Sequence, residues 1–136
     1  MGPLRGTFRL ILLSKGEYPT DTSVQCEKTI ALDTQNVFYH DIPREQADAR
    51  SAKLSAHSTQ AFNVPLRYAA YKHVPATYLF CENDNAIPLF VQQSFVAQAG
   101  EGVVKTHTCS SGHSPMLSMP DTVTAVVREA AGELPN

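Results

Sequence analysis

Apolar and polar positions are distributed unevenly along the chain, and the second half carries the clearer pattern. "ATYLFC" (76–81) is a continuous apolar run without alternation, the pattern of a strand buried on both faces. The polar stretch "ENDNAIP" follows as a turn. Pro88 then opens a helix whose face is Ile87, Val91, Phe95 and Ala99, with Phe90 beside it, and Gly100 ends it. "VVKTHTC" (103–109) reads as a strand and "SSGHSP" as the turn after it. Pro120 and Asp121 open a last helix with Val123, Val126, Val127 and Ala130 on one side, stopped by Gly132. Strand, loop, helix, strand, loop, helix is a βαβα unit. It predicts two parallel strands with a right-handed crossover.

The first half is less regular. "TFRLILL" and "SVQCEKTIAL" are strand-like runs separated by "SKGEYPTDT", which holds turn-forming residues, so they predict a hairpin. Residues 43–56, "PREQADARSAKLSA", read as a helix with Pro43 in its first turn. Its apolar face is thin (Ala47, Ala52, Leu54), which suits a helix on a surface or over a cleft. Residues 57–74 are a mixed, aromatic-rich stretch broken by Pro65.

Composition narrows the classes. A chain of 136 residues with 43% hydrophobic and 18% charged residues can bury a core, and its length suits one domain. A formal net charge of -2, without a basic cluster interleaved with aromatics, argues against nucleic-acid binding. The apolar run around Leu10 to Leu13 is far too short for a membrane span and reads as a strand rather than a signal peptide. Cys26, Cys81 and Cys109 form no CxxC pair, so a reducing, cytoplasmic compartment is expected rather than a disulfide scaffold. The five histidines show no metal-ligand spacing, and no metal or cofactor is expected.

Both polar loops follow the carboxyl ends of strands in the βαβα unit, the edge where ligands and catalytic groups collect in open α/β sheets. Adjacent strands lie about 4.8 Å apart, so residues just beyond two strand ends can touch. One loop offers Glu82 and Asp84, the other His113. A carboxylate beside an imidazole fixes its tautomer and makes the other ring nitrogen a base. Spacing alone leaves a second reading open, in which Asp84 caps the next helix and His113 is solvated in a turn. His40–Asp41 is also an acid–imidazole pair, but neighbours on an extended chain point apart, which favours a turn before Pro43. Cys81 reads as a small core residue and Cys109 as an alternative nucleophile near His113.

"YLFCENDNAIPLFVQQSFVAQAG" followed by "SSGHSPMLSMPDTVTAVVREAAGE" resembles the C-terminal part of α/β-hydrolase-fold proteins, in the esterase, lactonase and hydroxynitrile-lyase-like branch. In that family an E-x-D-x-x-x-P turn carries the triad acid and a G-H-S/C-P turn the triad histidine, which match Asp84 and His113. "VFYHDIPREQADARSAKL" is similar to the family's helical lid. The resemblance runs from Val37 to Leu134 and leaves residues 1–36 unplaced. The family's G-x-S-x-G nucleophile elbow does not occur: Ser114 has Gly112 two before it but Met116 two after.

The fold expected is thus α/β: a truncated α/β-hydrolase-like βαβα core (75–136), a lid-like helical region (37–74) and an N-terminal strand pair (1–36), in one domain. The function expected is His113–Asp84 acid/base chemistry on a small, largely apolar organic molecule without a serine nucleophile, of lyase, isomerase or cyclase type. Phe38, Tyr39, Phe62, Tyr68 and Ser114 are candidate substrate contacts, with Tyr71 a further aromatic for the pocket. Two alternatives stand beside it: a fragment of a serine ester or lactone hydrolase completed by another chain, and a non-catalytic small-molecule-binding protein. Under the first two readings the short sheet leaves an open edge, which predicts a homodimer.

Overall fold

A computed structural model describes residues 12–14, 28–58, 65 and 67–133. Two short strands, β1 (Leu12–Ser14) and β2 (Lys28–Ile30), pair antiparallel with Leu12 opposite Ile30. This joins the two N-terminal runs expected to meet. A third strand, β3 (His57–Ser58), pairs with β2 on its other side, which the mixed composition of residues 57–74 did not indicate. Helix α1 (Thr34–Phe38) follows Asp33, whose φ of 52° places a non-glycine residue in the left-handed region. Helix α2 (Arg44–Ser51) starts after Pro43, with Glu45 in its first turn and Arg50 in its last, both favourable to the helix dipole. It stops short of residue 56, and of its expected face only Ala47 is buried, while Leu54 lies exposed beyond the helix.

The second half follows its pattern closely. Strand β4 (Ala76–Cys81) pairs in parallel with β5 (Val104–Cys109), from Ala76 opposite Val104 to Cys81 opposite Cys109. Between them runs α3 (Leu89–Ala99), preceded by Pro88 and ended by Gly100 at φ 106°, a backbone conformation that side chains beyond glycine resist. After β5 come α4 (Pro115–Ser118), a single turn within the stretch expected to be loop, and α5 (Pro120–Ala130). Both α3 and α5 pack on β4.

Two expectations about burial need correction. Residues 76–80 of β4 are half-buried rather than enclosed on both faces. The reason is that β4 has one neighbouring strand among the described residues, so a run suited to a central strand has one ladder edge unpaired. On α3, Phe95 and Phe90 are exposed, and the buried residue is Gln92. The most enclosed described side chains in this half (Cys81, Ala86, Gln92, Cys109, Ser111 and Ser114) gather where β4 and β5 end. Packing is therefore tightest around the two loops that carry the candidate chemistry. No helix among the described residues is long and apolar enough to cross a membrane.

Candidate active site

The parallel register sets the geometry. Cys81 and Cys109 are partners at the ends of β4 and β5, so Asp84 and His113 leave the sheet side by side. Nδ1 of His113 lies 3.1 Å from Oδ1 and 3.0 Å from Oδ2 of Asp84. The imidazole N–H is thus shared between both carboxylate oxygens, which assigns the proton to Nδ1 and leaves Nε2 as the acceptor. Asp84 does not cap α3. Its Oδ1 instead accepts the backbone N–H groups of Ala86 (2.7 Å) and Ile87 (2.9 Å), folding its own loop around the carboxylate. The Asp84 side chain is 6% exposed and that of His113 32%, so the acid is enclosed while the imidazole reaches solvent.

Gln92 holds both ends of the acid loop. Its Oε1 accepts the Cys81 N–H at 3.0 Å, and its Nε2 donates to the carbonyls of Cys81 (2.9 Å) and Ile87 (2.7 Å). Hydropathy patterning missed this residue, because a glutamine followed by Gln93 and Ser94 on a helix ordinarily faces water. The partner groups are backbone and leave no trace in the side-chain pattern.

The candidate contacts divide. Phe38 packs on the imidazole of His113, with ring centroids 5.0 Å apart, and Tyr39 meets Phe38 edge-on. Tyr68 stacks on His73 at 4.8 Å and is exposed, and Tyr71 is exposed as well. Phe62 lies outside the described residues. Ser114 is buried, and its carbonyl accepts the Leu117 N–H as α4 begins. Cys109 is buried opposite Cys81, whose thiol is pushed up to about 12 by burial and by Cys109 beside it. Such an enclosed pair does not present a nucleophile. His107 faces Glu129 of α5 at 3.6 Å, in a surface group with Lys105. No cluster of ligating side chains fit to hold a metal ion occurs among the described residues.

The His40–Asp41 pair has a larger place than a turn before α2. Oδ2 of Asp41 accepts the Gly112 N–H at 2.6 Å and the Ser111 hydroxyl at 3.2 Å. Burial works to raise the Asp41 pKa, but hydrogen bonds from Ser118, Gly112 and Ser111 outweigh it and hold the carboxyl below its ordinary value. His40 Nε2 donates to the Asn83 carbonyl at 2.9 Å. An open groove of about 650 Å³, lined by His40, Asp41, Asn83, Asp84 and Ser110 among others, reaches the acid but not His113.

The model of the alpha/beta hydrolase family matches residues 3–126, and so takes in the N-terminal stretch that the motifs left unplaced. The chain is 36% identical over 99 residues to "Alpha/beta hydrolase nvfD" of Aspergillus novofumigatus, covering 73% of this chain and 39% of that protein. It is 26% identical over an alignment of 152 positions to "Probable hydrolase R7" of a Phoma species, covering 97% of this chain and 62% of that protein. Among solved structures, polyneuridine aldehyde esterase superposes with a TM-score of 0.74 at 18% identity, over 93% of this chain and 51% of the esterase. A pyrethroid hydrolase, PytH, superposes with a TM-score of 0.56 at 21% identity, over 72% of this chain and 38% of its own. The chain spans less than two thirds of the length of each of these proteins.

Proposed function

The chain belongs to the alpha/beta hydrolase family, and we propose that it moves protons on a small, largely apolar organic molecule through His113 and Asp84. Nε2 of His113 takes a proton from the substrate, and Asp84 stabilises the imidazolium that forms. The imidazolium then returns the proton to another atom of the same molecule, giving isomerisation or ring closure, or to the departing group as its bond to carbon breaks, giving elimination, in each case without an acyl-enzyme. Phe38 covers one side of the imidazole and offers the substrate an apolar wall. The observation that carries the reading is the enclosed Asp84 carboxylate, shared across Nδ1 at 3.0 and 3.1 Å, with Nε2 left to accept. A positioned base of this kind contributes about 10²- to 10⁴-fold, enough for an activated C–H acid.

The test uses nitrobenzisoxazole, whose ring opens when one carbon-bound proton is removed. The purified chain is expected to open it with saturation, and His113→Ala to lose about 100-fold or more of that rate. An unchanged rate in His113→Ala overturns the assignment. If His113→Ala binds apolar ligands as before and the native chain shows no turnover, the protein is a binding module instead.

A second reading is favoured by the edges of β4 and β5, each of which has a single strand neighbour among the described residues. In it, His113 and Asp84 are the base and acid of a serine ester hydrolase, and the nucleophile comes from polypeptide outside the described residues. Covalent capture of a fluorophosphonate on a serine, with hydrolysis of nitrophenyl butyrate, supports this reading against the first.

A further inference from the structure

Four side chains that belong to neither reacting residue, with the backbone groups they reach, form a closed hydrogen-bonded ring through the residues that precede the pair. Asp41 accepts from Gly112 N–H at 2.6 Å and from Ser111 Oγ at 3.2 Å. Its neighbour His40 donates to the Asn83 carbonyl at 2.9 Å. Asn83 closes the ring, donating its backbone N–H to the Ser111 carbonyl at 3.1 Å and its side-chain amide to the Ser110 carbonyl at 2.6 Å. Gly112 immediately precedes His113, and Asn83 immediately precedes Asp84. The two residues gripped are thus the backbone anchors of the base and of the acid.

We propose that Asp41 is the positioning residue of this site, holding the base loop through Gly112 and Ser111 while His40 holds the acid loop through Asn83. One adjacent pair of residues therefore sets the separation of His113 from Asp84. Three features single it out. The bond from a backbone N–H to a carboxylate is charge-assisted, short and directional. Gly112 is packed directly under the pair, since a Cβ there would lie 2.6 Å from His40 Nε2 and 3.0 Å from Asp41 Cγ and would push both side chains off their partners. The turn at residues 40–41 brings onto one side two side chains that an extended chain would send apart. A displacement of about 1 Å between reacting groups costs on the order of 10²-fold, so a clamp on both anchors bears directly on rate.

The proposal rests on His113 and Asp84 being the reacting pair, and its first test needs no turnover. In the isotope-labelled full chain, the Gly112 amide is expected to be protected from exchange and the His113 Nδ1 proton to give a resolved low-field signal. Asp41→Ala is expected to lower Gly112 protection about tenfold or more, as for a lost charge-assisted bond, and to broaden the His113 Nδ1 signal away. Asp41→Asn keeps an oxygen for the Gly112 N–H and is expected to restore both. On nitrobenzisoxazole, Asp41→Ala is expected to lower kcat about 10- to 100-fold with KM within about twofold, and Asp41→Asn to recover most of it. An unmoved His113 Nδ1 signal in Asp41→Ala, or an Asn variant no better than Ala, overturns the proposal. If Asp41→Ala loses its far-ultraviolet circular dichroism, His40→Ala decides by the same signals, because it releases the other arm. Absence of turnover in the native chain would sink the proton-transfer reading alone and leave the spectroscopic arm to judge the clamp.

Discussion

Replacing Gln92 with leucine tests what holds the acid loop together. Gln92 is 2% exposed, and its amide serves three backbone groups: the N–H and C=O of Cys81 and the C=O of Ile87. Leucine is close in volume, so Gln92→Leu opens no cavity, but it leaves all three groups without that partner. Each unsatisfied buried group costs about 1–3 kcal/mol. The Cys81 carbonyl keeps a 3.4 Å bond from the Asp84 N–H, and the bond to Ile87 is only part-buried, so the low end applies to both. Added apolar burial offsets about 1 kcal/mol. The net loss expected is about 3 kcal/mol, a large share of the roughly 5–15 kcal/mol that holds a domain folded.

Urea unfolding followed by far-ultraviolet circular dichroism measures it. With a slope of about 1–3 kcal/mol per molar urea, the midpoint should fall by about 1–3 M at unchanged slope. Gln92→Glu supplies the sign. One carboxylate oxygen can still accept from Cys81 N–H, but the other faces two carbonyls with no proton to give. This variant should therefore regain stability as the pH falls and the carboxyl protonates. A Gln92→Leu midpoint within 0.3 M of the native one would refute the argument that these bonds hold the loop.

Two further outcomes follow from the same contacts. The Cys81 thiol, raised to about 12 by burial and by Cys109 beside it, keeps its proton in the folded chain while the unfolded chain loses it near the ordinary value of 9.0. Stability is thus unaffected by this group below that value and falls as pH rises from it toward about 12, which alkaline urea titrations detect, and iodoacetamide at pH 8 should modify Cys81 only after unfolding. Removing the ring of Phe38, whose centroid lies 5.0 Å from that of His113, should shift the imidazole proton resonances downfield as the ring current disappears. Phe38→Ala should also cost about 0.5–1.5 kcal/mol beyond lost area; unmoved His113 resonances would show that the rings do not touch in solution.

What could be read in advance depended on whether the signal was local. Pro88, Gly100 and Pro120 mark helix ends by backbone constraint alone, and α3 and α5 begin and stop where they say. The run at 76–81 forms its strand because continuous apolar residues before a polar turn leave few alternatives. The meeting of Asp84 and His113 was legible for a related reason: parallel neighbours of equal length deliver their next loops to one edge, whatever the rest of the chain does. The burial of β4 was not legible, since an apolar run records the environment a strand suits and not how many neighbours flank it.

Gln92 and Asp41 were hidden for a different reason, and it concerns where such residues are to be found. Both bind backbone groups, which every position possesses, so no second residue type marks the partner. Asp41 acts on Gly112 across 71 positions and Gln92 on Cys81 across 11. Asp41 stood out only as the neighbour of His40, and its hold on the distant loop left one indirect trace. Gly112 reads as ordinary turn chemistry, yet its missing Cβ leaves the space that His40 and Asp41 occupy and answers no demand of its own φ, which lies outside the positive region. A glycine of that kind points to the residue packed against it. Here that residue is the acid that grips the loop of His113, so the turn and the distant pair are two sides of one contact.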